Sequence, residues 1–132
     1  MTGPQARLAL VVVESGGGIV LTHPPGGPPE APASLPSGNV LEGETPEEAA
    51  VRLAREQTGL EIELTGELTR FLQEGTPFGT AEMFGFVARA VGGALREGDE
   101  GPPVVYPVDA LPEIIPVRVA NQRVLAEYLA GR

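Results

Sequence analysis

The sequence predicts a mixed α and β fold. Two observations carry this prediction: apolar, β-branched runs that are typical of strands, and two segments with helical signals. The chain has 132 residues, of which 42% are hydrophobic, so it can bury a core without disulfides or structural metals. Because strands are expected before, between and after the two helices, the fold class is α+β, with residues 1–132 expected to form one domain.

The first predicted element is a hairpin. Residues 7–13 are apolar and β-branched, the glycine-rich residues 14–18 turn the chain, and residues 19–22 return it. Residues 23–36 contain six prolines. Since proline removes backbone donors and blocks helices, this stretch is predicted to be a loop.

A helix is predicted from Thr45 to about Gln57. Thr45 can cap it, Pro46 suits its first position, Glu48 completes a capping box, and Gly59 can end it. The remaining predicted elements are one long or two short strands at 60–72, strands at 83–90 and 104–108, a loop at 92–103, and an amphipathic helix at 117–130.

Composition and charge exclude several function classes. The chain has no cysteine and one histidine, His23, which excludes a Cys-based nucleophile or zinc site and disfavours a multi-histidine metal site. Its net charge of −9 disfavours binding to nucleic acid. The longest apolar run, residues 8–13, is too short to span a membrane, and no signal peptide precedes it, so we expect a cytoplasmic protein. All nine basic residues are arginine, which indicates a GC-rich, bacterial genome.

The most informative stretch runs from Gly38 to Leu60. It resembles the Nudix box, G-x5-E-x7-R-E-U-x-E-E-x-G-U, where U is aliphatic. The matching residues are Gly38, Glu44, Arg52, Ala54, Glu56, Gly59 and Leu60. Two residues depart from the pattern, because Leu53 and Gln57 stand where the box has glutamates. The predicted flanking strands also fit, so the resemblance covers nearly the whole chain.

This resemblance implies the Nudix fold, an α/β/α sandwich with a mixed sheet between the box helix and the C-terminal helix. It implies hydrolysis of a nucleoside diphosphate linked to another moiety, with Mg²⁺ or Mn²⁺ held by carboxylates and activating water. Residues 35–38, 74–82 and 105–112 resemble the ADP-ribose pyrophosphatase-like branch. The branch points to ADP-ribose-like substrates and to a homodimer.

Candidate site residues follow from the same resemblance. The implied metal contacts are Glu56, the Ser37 main-chain carbonyl, the Gln57 amide oxygen and Glu44. The implied catalytic residues are Glu56, Arg52 and a distal base, for which Glu100 is the first choice and Glu97 the second. The implied substrate contacts are Glu82 and Phe78. Structural alternatives exist, since Arg52 can pair with Glu48 or Glu56 on the helix surface, Leu53 can pack in the core, and so can Phe78.

Two functional interpretations remain open. The first, ranked ahead on family membership, is a weak Nudix hydrolase. The second is a catalytically inactive Nudix domain that binds a nucleotide-like ligand or a protein partner. The second is favoured by residues 53 and 57, because two anionic donors are lost from one face of the helix.

Overall fold

A computed structural model describes residues 6–23, 33–76, 79–96, 103–111 and 119–131. The elements in chain order are β1 Ala6–Ser15, β2 Gly18–Thr22, β3 Ser37–Asn39, α1 Pro46–Thr58, β4 Leu60–Thr76, β5 Gly79–Gly93, β6 Pro103–Pro107, a short 3₁₀ helix Val108–Ala110, and α2 Val119–Ala130. Strands lie before, between and after the two helices, as the sequence predicts.

The strands form one mixed sheet in the order β4-β5-β1-β2-β6, with β3 paired to β1. The central pair, β1 and β5, is parallel, and the other pairings among the described strands are antiparallel. The parallel pair explains why β1 is an almost continuous apolar run: strands covered on both faces are apolar on both.

Each face of the sheet is covered by one helix. Ala9, Val11 and Val13 of β1 point to the α1 side, where Leu53 and Phe84 join the same buried cluster. The alternate residues of β1 point to the other side and pack with α2 through Val124, Leu125 and Tyr128. The result is the α/β/α sandwich that the resemblance implies. Neither described helix is long and apolar enough to cross a membrane.

The local signals around α1 are confirmed. Thr45 and Glu48 form the predicted capping box, and Gly59 ends the helix with a left-handed φ of 81°. The stretch after it is one strand of 17 residues with several register shifts. In α2, Leu125 and Tyr128 pack against the sheet, whereas Leu129 is 40% exposed.

Candidate active site

Arg52 lies at the centre of a charged network on the outward face of α1. Its Nε donates to Glu44 Oε2 at 2.8 Å and its Nη2 to Glu44 Oε1 at 3.1 Å, so the two side chains form a bidentate pair. Nη1 donates to Glu56 Oε1 at 3.0 Å, and Nη2 also donates to the Asn39 carbonyl at 2.8 Å. Arg52 therefore ties the loop before α1 to the last turns of the helix.

Glu44 is the better buried of the two acids on this arginine. Its side chain is 15% exposed, and its Oε1 also accepts from the Leu41 main-chain N–H at 3.0 Å. The hydrogen bond from Arg52 holds the pKa of Glu44 below its ordinary value, and the same bond raises the pKa of Arg52. Glu44 therefore has a structural role: its ionised carboxylate holds Arg52 in place, and the guanidinium compensates its negative charge.

Glu56 has a different environment. Its side chain is 55% exposed and its contact in the described structure is the i,i+4 pair with Arg52. The predicted alternative partner of Arg52, Glu48, instead accepts from the Thr45 main-chain N–H at the helix start. Glu56 is thus the box carboxylate that faces solvent, and one of its oxygens is left for a ligand.

Ser37 and Gln57 bind each other. The Ser37 main-chain N–H donates to Gln57 Oε1 at 3.0 Å, and Gln57 Nε2 donates to the Ser37 carbonyl at 2.7 Å. The resemblance implies instead that both oxygens face a cation. The arrangement differs because a carboxamide carries donors that a glutamate lacks, so it can satisfy the carbonyl directly.

Leu53 belongs to the hydrophobic core. It is 4% exposed and lies in the cluster beneath α1. A Cβ added at Gly38 would lie 2.8 Å from Leu53 Cδ2, so the leucine packs tightly over this glycine at the start of the box. The structural alternative for position 53 is confirmed.

The described residues, as arranged, do not fit a resident divalent cation. The Ser37 carbonyl and the Gln57 amide are used by each other, Leu53 offers no oxygen, and Glu44 is neutralised by Arg52. In the described part of the chain, no three His, Cys, Asp or Glu side chains are grouped to hold a metal ion. Mg²⁺ prefers several oxygen ligands, and Glu56 alone supplies an available one here.

Comparison with known protein families identifies the family of this chain. A family model for the NUDIX domain matches residues 3–128. The chain belongs to the NUDIX domain family. A search of the curated proteins finds no match for this NUDIX domain. The family match supports the interpretation of the chain as a Nudix-type pyrophosphohydrolase.

Solved structures share the fold of this NUDIX domain at low sequence identity. A NUDIX hydrolase from Nitrosomonas europaea is 18% identical, with a TM-score of 0.75, covering 98% of this chain and 90% of its own. A UDP-X diphosphatase is 20% identical, with a TM-score of 0.78, covering 100% and 66%. An ADP-ribose pyrophosphatase from Streptococcus suis 89-1591 is 16% identical, with a TM-score of 0.72, covering 96% and 91%. The predicted α/β/α sandwich is confirmed.

The other predicted site residues lie apart from this network or outside the described residues. Glu82 is half-buried on β5, in register with Arg7 of β1 and Leu72 of β4. Glu97, Glu100 and Phe78 fall outside the described residues. The predicted roles of Glu100 or Glu97 as a distal base and of Phe78 as a substrate contact therefore remain predictions.

An open cleft of about 420 Å³ runs along the outward face of α1. It is shallow and open to solvent, unlike the enclosed pockets that bury most of a small ligand. Three glutamates and two arginines contribute to its walls, which leaves them nearly balanced in charge despite the net charge of the chain. The lining residues are Glu44, Glu47, Glu48, Val51, Arg52, Arg55 and Leu64.

Sequence reasoning missed a polar pair at the far edge of the sheet, between a buried histidine and a half-buried tyrosine. His23 Nε2 and the Tyr106 hydroxyl hydrogen-bond where β2 meets β6, and the two rings are tilted 5.7 Å apart. His23 lies directly after β2, in the segment predicted to be a loop, and it is only 7% exposed. The one available signal was its place directly after a buried strand, since residues there are held by the neighbouring strand.

Proposed function

We propose that this NUDIX domain hydrolyses, at a low rate, a nucleoside diphosphate linked to another moiety. ADP-ribose-like compounds are the first substrates to test and UDP-linked compounds the second, since proteins named for those activities share the fold. The observation that carries the proposal is Glu56: in a chain that matches the family over residues 3–128, this box glutamate is exposed on α1 with an oxygen available.

The low rate follows from the charges around Glu56. Hydrolysis of a diphosphate requires stabilisation of charge on the phosphoryl oxygens and activation of a water molecule. Arg52 already makes four hydrogen bonds to Glu44, Glu56 and a main-chain carbonyl, so it has little capacity left for a phosphate. Since the described residues do not form a resident cation site, the proposal assigns no step to one, and the cation is a variable of the experiment.

A second function is favoured by two specific residues. Leu53 is part of the core and Gln57 is bound to Ser37, so two of the three box glutamate positions make structural contacts only. A domain with those contacts keeps its fold without needing to hold a cation. This observation favours a NUDIX domain that binds a nucleotide-like ligand or a protein partner without hydrolysing it.

The experiment measures turnover of ADP-ribose, UDP-linked sugars, diadenosine polyphosphates and nucleoside triphosphates, each with Mg²⁺, Mn²⁺ or EDTA. We expect slow cleavage of one diphosphate-linked compound, and we expect its rate to fall by at least about 100-fold in Glu56→Gln, since a side chain that transfers a proton at the reacting centre contributes about 10²–10⁴-fold. Glu47→Gln is the matched control, because it makes the same charge change on the same helix at an exposed residue.

Equal turnover in wild type and Glu56→Gln would refute the proposed role of Glu56. Absence of turnover with every substrate and cation, together with a rise in melting temperature on adding a nucleotide, would establish the second function instead. The two readouts use the same protein preparations, so a misfolded variant is detected by its melting curve before its activity is interpreted.

A further inference from the structure

We propose that the Gln57 carboxamide takes the place of a divalent cation at the junction between β3 and α1, so that this junction assembles without metal. Ser37 and Gln57 would be held together in this way whether or not the domain turns over a substrate. Four observations carry it: a reciprocal hydrogen-bonded pair, its burial, the chemistry of the group at position 57, and the neutral surroundings.

Ser37 and Gln57 are joined by two reciprocal hydrogen bonds. Ser37 N–H donates to Gln57 Oε1 at 3.0 Å and Gln57 Nε2 donates to Ser37 O at 2.7 Å, across 20 residues of sequence. Gln57 is 6% exposed. Ser37 is half-buried, and one buried side chain supplies partners for both its main-chain N–H and its C=O.

A carboxylate at position 57 would satisfy only half of this pair. An ionised glutamate accepts hydrogen bonds but donates none, so one oxygen could accept from Ser37 N–H while the other would face the Ser37 carbonyl oxygen. Two oxygens with partial or full negative charge repel unless a cation lies between them. In the wild-type protein the Gln57 side-chain N–H, which carries a partial positive charge, takes the place of that cation.

The groups described next to the Ser37–Gln57 pair are uncharged, so they do not require a cation nearby. On one side, Leu53 packs over Gly38, which follows Ser37 in the chain. On the other, the Pro36 carbonyl accepts from the Val11 main-chain N–H at 3.0 Å, which ties the same segment to β1. A neutral, satisfied amide in a neutral setting is stable in low dielectric, whereas an unpaired carboxylate is costly there.

The consequence is a difference in cation response between two side chains of nearly equal shape. The wild-type melting temperature should be the same in EDTA as in millimolar Mg²⁺ or Mn²⁺. Gln57→Glu should melt about 5–10 °C lower in EDTA, and part of that loss should return with Mn²⁺ along a saturable curve.

Two control variants separate this effect from general damage. Gln57→Met has a similar length and no hydrogen bonds, so it should melt lower than wild type and show no response to Mn²⁺. Gln73→Glu makes the same chemical change on β4, where the amide donates to the adjacent Glu74 carbonyl at 3.3 Å. It should show no response to Mn²⁺ either.

Wild type alone provides an independent test. Mn²⁺ is paramagnetic and broadens the NMR signals of nearby nuclei, so the Ser37 amide signal should keep its line width in Mn²⁺. Saturable stabilisation of wild type by Mn²⁺, or selective broadening of the Ser37 signal, would overturn the inference. So would a Gln57→Glu protein that is as stable as wild type in EDTA, or one that Mn²⁺ does not stabilise.

Discussion

The two faces of α1 hold their neighbouring segments by different forces. The inward face uses neutral, buried side chains: Leu53 packs in the core and Gln57 binds both main-chain groups of Ser37. The outward face uses charges, with Arg52 between Glu44 and Glu56. Because salt screens exposed charges and protonation removes them, only the outward face should respond to pH and ionic strength.

The largest effect is expected from the inward face. Leu53→Ala removes a buried side chain and leaves a cavity beside Gly38. We expect the free energy of unfolding to fall by about 3 kcal/mol, measured by urea denaturation. The loss should be the same at low and high salt, since no charge is involved.

Val51→Ala is the matched control for this prediction. Val51 lies on the same helix but is only half-buried against the same cluster. It should therefore lose about 1 kcal/mol or less. If Leu53→Ala cost no more than Val51→Ala, position 53 would not be the core position that the structure assigns to it.

Much of the fold was predictable because its signals are local. The apolar run of β1, the capping box of Thr45 and Glu48, and the left-handed glycine at 59 each depend on residues a few positions apart. These signals state what a segment prefers by itself. The order of the segments and the resemblance to the Nudix box together predicted the α/β/α sandwich.

The site was less predictable because its contacts are distant in sequence. The resemblance to the box implied that Ser37 and residue 57 contact the same cation, but not that an amide at position 57 donates to the Ser37 carbonyl. Similarly, the hydrogen bond of His23 to Tyr106 joins residues 83 apart and depends on the pairing of β2 with β6. Such contacts are decided by packing, which the sequence pattern does not specify.

An intermediate effect is expected from the charged pair on the outward face. Glu44→Gln weakens the bidentate contact with Arg52, and we expect a loss of about 1 kcal/mol near neutral pH. The pKa of Glu44 is lowered by Arg52 in the folded chain. The pair therefore stabilises the fold above the pKa of an unfolded glutamate, about 4.3, and this stabilisation is lost as pH falls through the lower folded pKa.

Urea denaturation between pH 7 and pH 3 measures this dependence. Wild type should lose stability more steeply on acidification than Glu44→Gln, so the two curves should converge at low pH. Glu47→Gln, on an exposed residue of the same helix, should keep the wild-type slope. Parallel curves for wild type and Glu44→Gln would show that Arg52 does not stabilise the ionised form of Glu44.

The smallest effect on stability is expected at Glu56, the residue for which we propose the main role in activity. The Glu56 carboxylate is 55% exposed, and in Glu56→Gln the guanidinium of Arg52 keeps Glu44 and the Asn39 carbonyl. Exposed i,i+4 pairs contribute about 0.3–0.5 kcal/mol, and salt screens them. The free energy of unfolding should therefore fall by no more than about 0.5 kcal/mol, and less at high salt. A larger loss would mean that Glu56 has a structural role, as Glu44 does, rather than a free carboxylate, and its effect on turnover would then report folding instead of chemistry.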